Sequence, residues 1–206
     1  VTYNIFIGPT SSSDSIYSGI NVDEIELLNI NDDEGTLSII GDVANFNFEG
    51  NVDDTSGKDI YLMNNGISFS EDRFGAPNSS AEFNGSSWLQ SNNMSFNMKS
   101  ISMWIYPTSS NTEQMFFFVS EDRELYSSFG TNYSFSFPRS CGQLRVSAPS
   151  INQWHSIIIN NTGNSVQLFI DGNLKDEVNC SSNVILTNEQ FFIGSKYSSG
   201  YYYKGK

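Results

Sequence analysis

Reactive side chains are few in this 206-residue sequence. Its single histidine is His155, with no cysteine pair beside it, so a zinc site lacks ligands. Ser-His-Asp catalysis needs a serine presented on a sharp elbow, and no G-x-S-x-G occurs. His155 is expected to be a packed or hydrogen-bonded strand residue. Glu24 and Glu26 fall on one strand face, but retaining glycoside hydrolysis needs two carboxyls about 5–5.5 Å apart in a cleft. The outward face of an edge strand explains them more simply. "SEDR" occurs twice, at Ser70–Arg73 and Ser120–Arg123, and both copies read as solvated loops. No enzymatic activity is expected.

Other groups suit binding or stabilisation. "NVDDTSGKD" places Asn51, Asp53, Asp54 and Asp59 in one short loop. Clustered hard oxygens suit calcium, and an acidic turn with no ion is the simpler alternative. Cys141 and Cys180 are too few for a disulfide scaffold. They form either one bridge in an oxidising compartment or two buried thiols. Six N-x-[ST] acceptors occur, at Asn78, Asn84, Asn93, Asn132, Asn160 and Asn179. A chain this rich in Asn and Ser produces such a number by composition alone, so the pattern marks candidate glycan sites and nothing stronger.

The elements that must carry these residues are strands. The composition is rich in Asn, Ser, Gly and aromatics, which favours strands and turns over helices. "DEIELLNI" alternates charged and apolar positions, and "VANFNFEG" alternates Phe46 and Phe48 with asparagines. "ISMWIYP" sets Ile101, Met103 and Ile105 on one face and Trp104 with Tyr106 on the other. "MFFFVS" is a continuous apolar run, as expected of a strand covered on both sides. "NNTGNS" and "DGN" (Asp171–Asn173) mark turns, the latter a hairpin tip. Many short strands with such punctuation predict an all-β sandwich or jelly roll. The net charge of -13 argues against nucleic acid and anionic membrane surfaces as partners. No apolar run approaches the roughly 20 residues a membrane-spanning helix needs. With no signal-peptide pattern and no initiator Met, Val1 is expected to be a processed end or the edge of a window in a longer protein.

Taken in order, several segments resemble the laminin G-like, concanavalin A-like jelly-roll family. "FNFEGNVDDTSGKD" is similar to its first strand and Asp-x-Ser-Gly loop (Asp54, Ser56, Gly57). "DRFGAPNSSAEFNGSSWLQ", "ISMWIYPT", "NQWHSIIINNTGNSVQLFIDGNLKDE" and "FFIGSKYSSGYYYKGK" are similar to the segments that follow. The resemblance covers about residues 43–206. It implies calcium near the Asp-x-Ser-Gly loop, with Asp53 and Asp54 joined by Asp23 and Glu24 of an acidic pair opening the last strand. It also implies a closing strand of the type Ile-Asp-Asp-Val-Arg-Ile-Tyr, which does not follow "KGK".

That strand's character is found at "INVDEIELLN" (Ile20–Asn29). It follows an internal repeat. Residues 1–20 align without a gap on residues 187–206, with identities at Phe6/Phe192, Ile7/Ile193, Gly8/Gly194, Ser12/Ser198, Ser13/Ser199, Tyr17/Tyr203 and Gly19/Gly205. The expected organisation is therefore three parts. Residues 1–30 are an N-terminal strand segment, the tail of a preceding repeat or a donor strand. Residues 31–42 are a linker with a short strand. Residues 43–206 are a jelly roll lacking its own last strand, completed by the next covalent repeat, by a strand donated from a neighbouring copy, or by the chain's own residues 20–30 folding back. Ile20, Val22, Ile25 and Leu27 would be the apolar residues of the assembly strand. An unpaired sheet edge invites such pairing.

The expected function is that of a non-enzymatic extracellular or cell-surface structural protein. It would be a repeating unit of a filament, stalk or adhesin, with copies of itself as partners. The alternative is a carbohydrate-binding module. For that role Trp88, Tyr133 and Tyr202 are the candidate sugar-stacking residues, although tyrosines on a loop serve equally as interface packing between repeats.

Overall fold

The computed structural model describes residues 2–5, 25–28, 44–110, 114–119, 132–136, 141–181, 184–197 and 200–206. The side chains of residues 2–5, 25–28, 96, 98, 132, 136, 184 and 186 are outside that description. The chain forms two compact units, Val1–Ile39 and Ile40–Lys206. Every described regular element longer than one turn is a strand, as the composition predicts. No helix among the described residues is long and apolar enough to cross a membrane.

In the first unit β1 (Thr2–Ile5) pairs antiparallel with β2 (Ile25–Leu28), Thr2 opposite Leu28 and Ile5 opposite Ile25. β2 lies within the expected assembly strand. Ile20, Val22, Asp23 and Glu24, the copied segment from Phe6 onward, and the linker strand lie outside the described residues.

The second unit is the jelly roll. Its central sheet runs β14 (Asn173–Asn179), β13 (Ser165–Ile170), β12 (His155–Asn161), β8 (Ser100–Ile105). At one side, β11 (Gln143–Ser147) pairs with β10 (Asn132–Ser136) and meets β14 where the Arg145 N–H donates to Asp176 Oδ2 at 2.8 Å. At the other side the chain beyond β8 continues the sheet. The Tyr106 N–H donates to the Lys206 carbonyl at 2.8 Å, and the Lys206 N–H returns to Tyr106 at 3.0 Å. That places β17 (Lys204–Gly205) beside it, followed by β5 (Ser80–Asn84) and β4 (Ser68–Ser70). A second sheet is ordered β3 (Leu62–Asn65), β6 (Trp88–Ser91), β16 (Phe192–Ile193), β9 (Phe117–Phe118), with β7 (Met94–Met98) paired to β15 (Val184–Glu189).

Alternation puts the core between these sheets. β12 buries every second residue, including His155, Ile157, Ile159 and Asn161. Leu62, Phe83, Leu89, Tyr133, Leu144, Val166 and Leu168 complete the same cluster. The "ISMWIYP" pattern holds, with Ile105 buried and Trp104 exposed. At the "DGN" tip Asp171 and Gly172 both have positive φ, 51° and 73°, as a two-residue hairpin turn requires.

Two strand expectations are modified. "VANFNFEG" makes a single bridge, Phe46 to Asp54, because Asn45 spends its backbone on Asp54 and Thr55, and Phe48 turns to φ 58°. "MFFFVS" contributes only the two residues of β9, yet Met115, Phe116, Phe118 and Val119 are buried.

The seam at β17 is the tightest point. A Cβ on Gly205 would collide with the Tyr106 carbonyl and the Tyr203 ring, and one on Gly194 (φ 85°) with the Phe83 ring. Gly205→Ala and Gly194→Ala are each expected to destabilise the unit by about 1–3 kcal/mol. Urea unfolding would show this as a lower midpoint at unchanged slope.

Candidate functional site

His155, at the start of β12, faces the β13–β14 turn. Its Nδ1 is 2.8 Å from Asp171 Oδ2, while Asp171 Oδ1 accepts the Ser156 N–H at 2.9 Å. Nε2 lies 3.0 Å from the Ser150 carbonyl and 3.2 Å from its hydroxyl. A serine, the histidine and an aspartate are thus in line. However, the carbonyl takes the nearer place at Nε2, and the Ser150 hydroxyl also faces Gln153 Oε1 at 3.0 Å. The ring bridges two backbone segments and orders the turn. Burial works to raise the Asp171 pKa, but the bonds from His155 and Ser156 and the charges of His155 and Lys175 outweigh it and hold the carboxyl below its ordinary 3.8.

The acidic loop is built around Asp54. Oδ1 accepts the N–H groups of Asn45 and Ser56, both at 2.9 Å; Oδ2 accepts the Ser56 hydroxyl at 2.8 Å and the Ile60 N–H at 3.1 Å. Against an opposing burial effect these bonds lower its pKa. A carboxylate accepting four hydrogen bonds has its lone pairs committed, so a cation here would have to displace them. Asp53 is exposed, and Asp23 lies outside the described residues. No group of three or more His, Cys, Asp or Glu side chains is gathered among the described residues.

The aromatic candidates separate. Tyr133 is wholly buried, packed on Phe116 and Phe135, and burial pushes its phenol pKa up. It cannot present a face to a sugar, because its ring lies in the core cluster between Phe116 and Phe135. Tyr203 of the "GYYY" run is also buried. Trp88 and Tyr202 are half-buried, with ring centroids 5.8 Å apart. Trp88 packs on Met115, Phe118 and Phe192, and its Nε1 is buried with no hydrogen-bond partner among the described residues.

Several aromatics stand in solvent, among them Tyr61, Tyr197 and Tyr201 of the "GYYY" run; Trp104 and Phe74 are the two that are drawn together, with Arg73 stacked on both rings. The alternation of β8 set Trp104 on the face opposite Ile101, Met103 and Ile105, and that face is the outward one. Nothing in "SEDRF" foretold that Arg73 and Phe74 would reach it. The second "SEDR" falls outside the described residues.

Cys141 and Cys180 are joined by a disulfide, with Cα atoms 5.1 Å apart. It ties the start of β11 to the end of β14. Among the sequons, Asn78, Asn84, Asn93 and Asn179 are exposed and Asn160 is partly buried; the Asn132 side chain lies outside the described residues.

Antiparallel sheets packed around one core make the second unit an all-β jelly roll. Residues 78–206, more than half of the chain, match the model of the concanavalin A-like lectin/glucanases superfamily, and the chain belongs to that family. Among solved structures it is similar to domain 4 of an extracellular arabinanase from Geobacillus stearothermophilus, in complex with arabinotriose. The identity is 20% and the TM-score 0.62, covering 79% of this chain and 86% of that one. It is similar to an HCR/D mutant at 16% identity and TM-score 0.55, covering 72% of this chain and 42% of that one. It also matches the LG1-3 region of the laminin alpha2 chain at 10% identity and TM-score 0.48, over 60% of this chain and 24% of that one. No curated protein matches in sequence.

Two outcomes follow for stability. The folded pKa values of Asp54 and Asp171 lie below 3.8, so their stabilisation is complete above that pH and is lost as pH falls through the folded values. Asp54→Ala should cost about 1–3 kcal/mol at pH 7, and the difference from the parent should shrink below pH 3.8 in thermal melts. Reducing the Cys141–Cys180 bridge, which closes a separation of 39 residues, should cost about 2–5 kcal/mol. Melting with and without reductant checks it.

Proposed function

We propose that this chain is a non-enzymatic extracellular structural protein, a jelly-roll unit that repeats along a filament, stalk or adhesin. One observation carries the proposal. Five of the seven identities between residues 1–20 and 187–206 fall where the fold is least tolerant; the other two, at Ser198 and Ser199, lie outside the described residues. Phe192 and Tyr203 are buried, Gly194 and Gly205 admit no Cβ, and Ile193 pairs in β16. Their counterparts are Phe6, Tyr17, Gly8, Gly19 and Ile7. A segment retaining these positions retains the means to build the same seam in another jelly roll. Residues 20–30 then supply a closing strand, by tandem repetition or by donation to the next copy. Residues 44–48, which carry a single bridge, are the edge it would join. Exposed sequons at Asn78, Asn84, Asn93 and Asn179 and the disulfide suit an extracellular setting.

The alternative, a carbohydrate-binding module, draws support from the exposed aromatics Trp104, on the central sheet, and Phe74, on the turn between β4 and β5. The arabinanase domain that shares this fold was solved with arabinotriose, at an identity that speaks to fold alone.

The test is the mass of the native material after full denaturation. Strand donation predicts a species of about 23.0 kDa plus any glycans, and loss of assembly on deleting residues 1–30. Tandem repetition predicts a ladder or one species many times larger. A chain that stays monomeric at high concentration, with or without residues 1–30, overturns both.

A further inference from the structure

The outward face of the central sheet carries one feature that neither core packing nor repeat assembly uses. Phe74 is 78% exposed and Trp104 47%. The Arg73 guanidinium lies 4.3 Å from the Phe74 centroid and 4.6 Å from that of Trp104, so one cation holds both rings. The loop presenting Phe74 is pre-organised. Asp72 Oδ1 accepts the N–H groups of Phe74 and Ala76, both at 2.8 Å, and the Asp72 N–H donates to the Ala76 carbonyl at 3.1 Å. Its base is fixed where the Ser80 hydroxyl donates to the Glu71 carbonyl at 2.9 Å and Lys206 Nζ to the same oxygen at 3.3 Å. Trp104 stands opposite Ser156 of β12, and the next outward pair is Ser102 with Ile158.

We propose that Trp104, Phe74 and Arg73 form a binding platform for a neutral oligosaccharide. This rests on the carbohydrate-binding reading and gives it a place on the fold. A sugar ring offers C–H groups on its faces and hydroxyls around its rim. The faces match exposed aromatic rings; the rim matches guanidinium N–H groups and the hydroxyls of Ser102 and Ser156. A ligand site of this kind needs a few fixed polar groups beside apolar ones.

A protein partner fits less well. Interface hot spots sit inside a water-excluding surround, whereas here the exposed Ser102 and the half-buried Ser156 lie beside Trp104. A polyanionic glycan meets the field of a chain with net charge -13. The platform lies apart from the half-buried Trp88–Tyr202 pair, whose Trp88 ring is committed to a cluster of its own.

The full 206-residue chain is titrated by calorimetry with linear neutral pentose and hexose oligomers, and with uronate and sulfated oligomers as a counter-set. At least one neutral oligomer is expected to bind, and the anionic ones more weakly. Trp104→Ala and Arg73→Ala should each weaken binding tenfold or more with unchanged circular dichroism, and Trp104→Phe should recover part of it. Phe74→Ala, at the most exposed position, gives the same readout should the tryptophan variant unfold. Tyr61→Ala, at another exposed aromatic, should leave binding unchanged. Binding that survives Trp104→Ala, Arg73→Ala and Phe74→Ala overturns the platform but keeps the carbohydrate reading. Binding of anionic oligomers alone overturns the assigned ligand class. No binding by any oligomer overturns the platform and the carbohydrate reading together.

Discussion

The contact on which the jelly roll depends is the approach of Gly205 to the Tyr106 carbonyl and the Tyr203 ring. Only a residue without a Cβ lets the last strand slide between β8 and β5. Once there, β17 exchanges backbone bonds with both sides and turns separate hairpins into one broad sheet. Tyr203 secures it. Its ring packs on Phe83 and Phe116 at 5.7 and 4.9 Å, and its hydroxyl donates to the Lys206 carbonyl at 3.0 Å. Burial, with a contribution from Tyr133, raises its pKa against the lowering effect of a backbone bond, so it remains a neutral donor. Gly194 does the same service on the opposite layer by letting the Phe83 ring close over the backbone.

Around this seam the polar side chains act locally. Asp54 organises the loop after the first segment, Asp72 the turn that carries Phe74, and the His155–Asp171 pair the β13–β14 hairpin. Each carboxylate replaces backbone partners that the chain forgoes where it leaves a sheet, which is why acidic residues recur at turns. The same economy gives these aspartates structural work that resembles, by residue type, a cation loop or a catalytic triad. Asp54 has its oxygens engaged by three N–H groups and the Ser56 hydroxyl, and His155 has a carbonyl at its second nitrogen.

The assembly reading and the platform use different parts of the molecule. Of the repeat positions, Phe192, Gly194, Tyr203 and Gly205 are interior to the second unit. Trp104, Phe74 and Arg73 are exterior on the second unit. A structural unit that also contacts saccharide would therefore need no compromise between the two roles.

The sequence by itself determined the fold class, the strand faces and the repeat. Alternation along β8, the "DGN" turn and the paired "FIG" segments are local signals, set by a two-residue period and by backbone conformations that few residues adopt. It did not determine which aromatics are exposed. Tyr133, Tyr202 and Trp88 sit in polar, aromatic-rich stretches that look alike along the chain. Burial of Tyr133 is decided by the sheet that packs over β10, and half-burial of Trp88 by Phe118 and Phe192 from distant strands. The meeting of Arg73 and Phe74 with Trp104 is likewise tertiary, because the turn and β8 are brought together only when β17 joins β5 to the central sheet. Side-chain exposure depends on what the rest of the chain lays over a residue, and no period in the sequence encodes that.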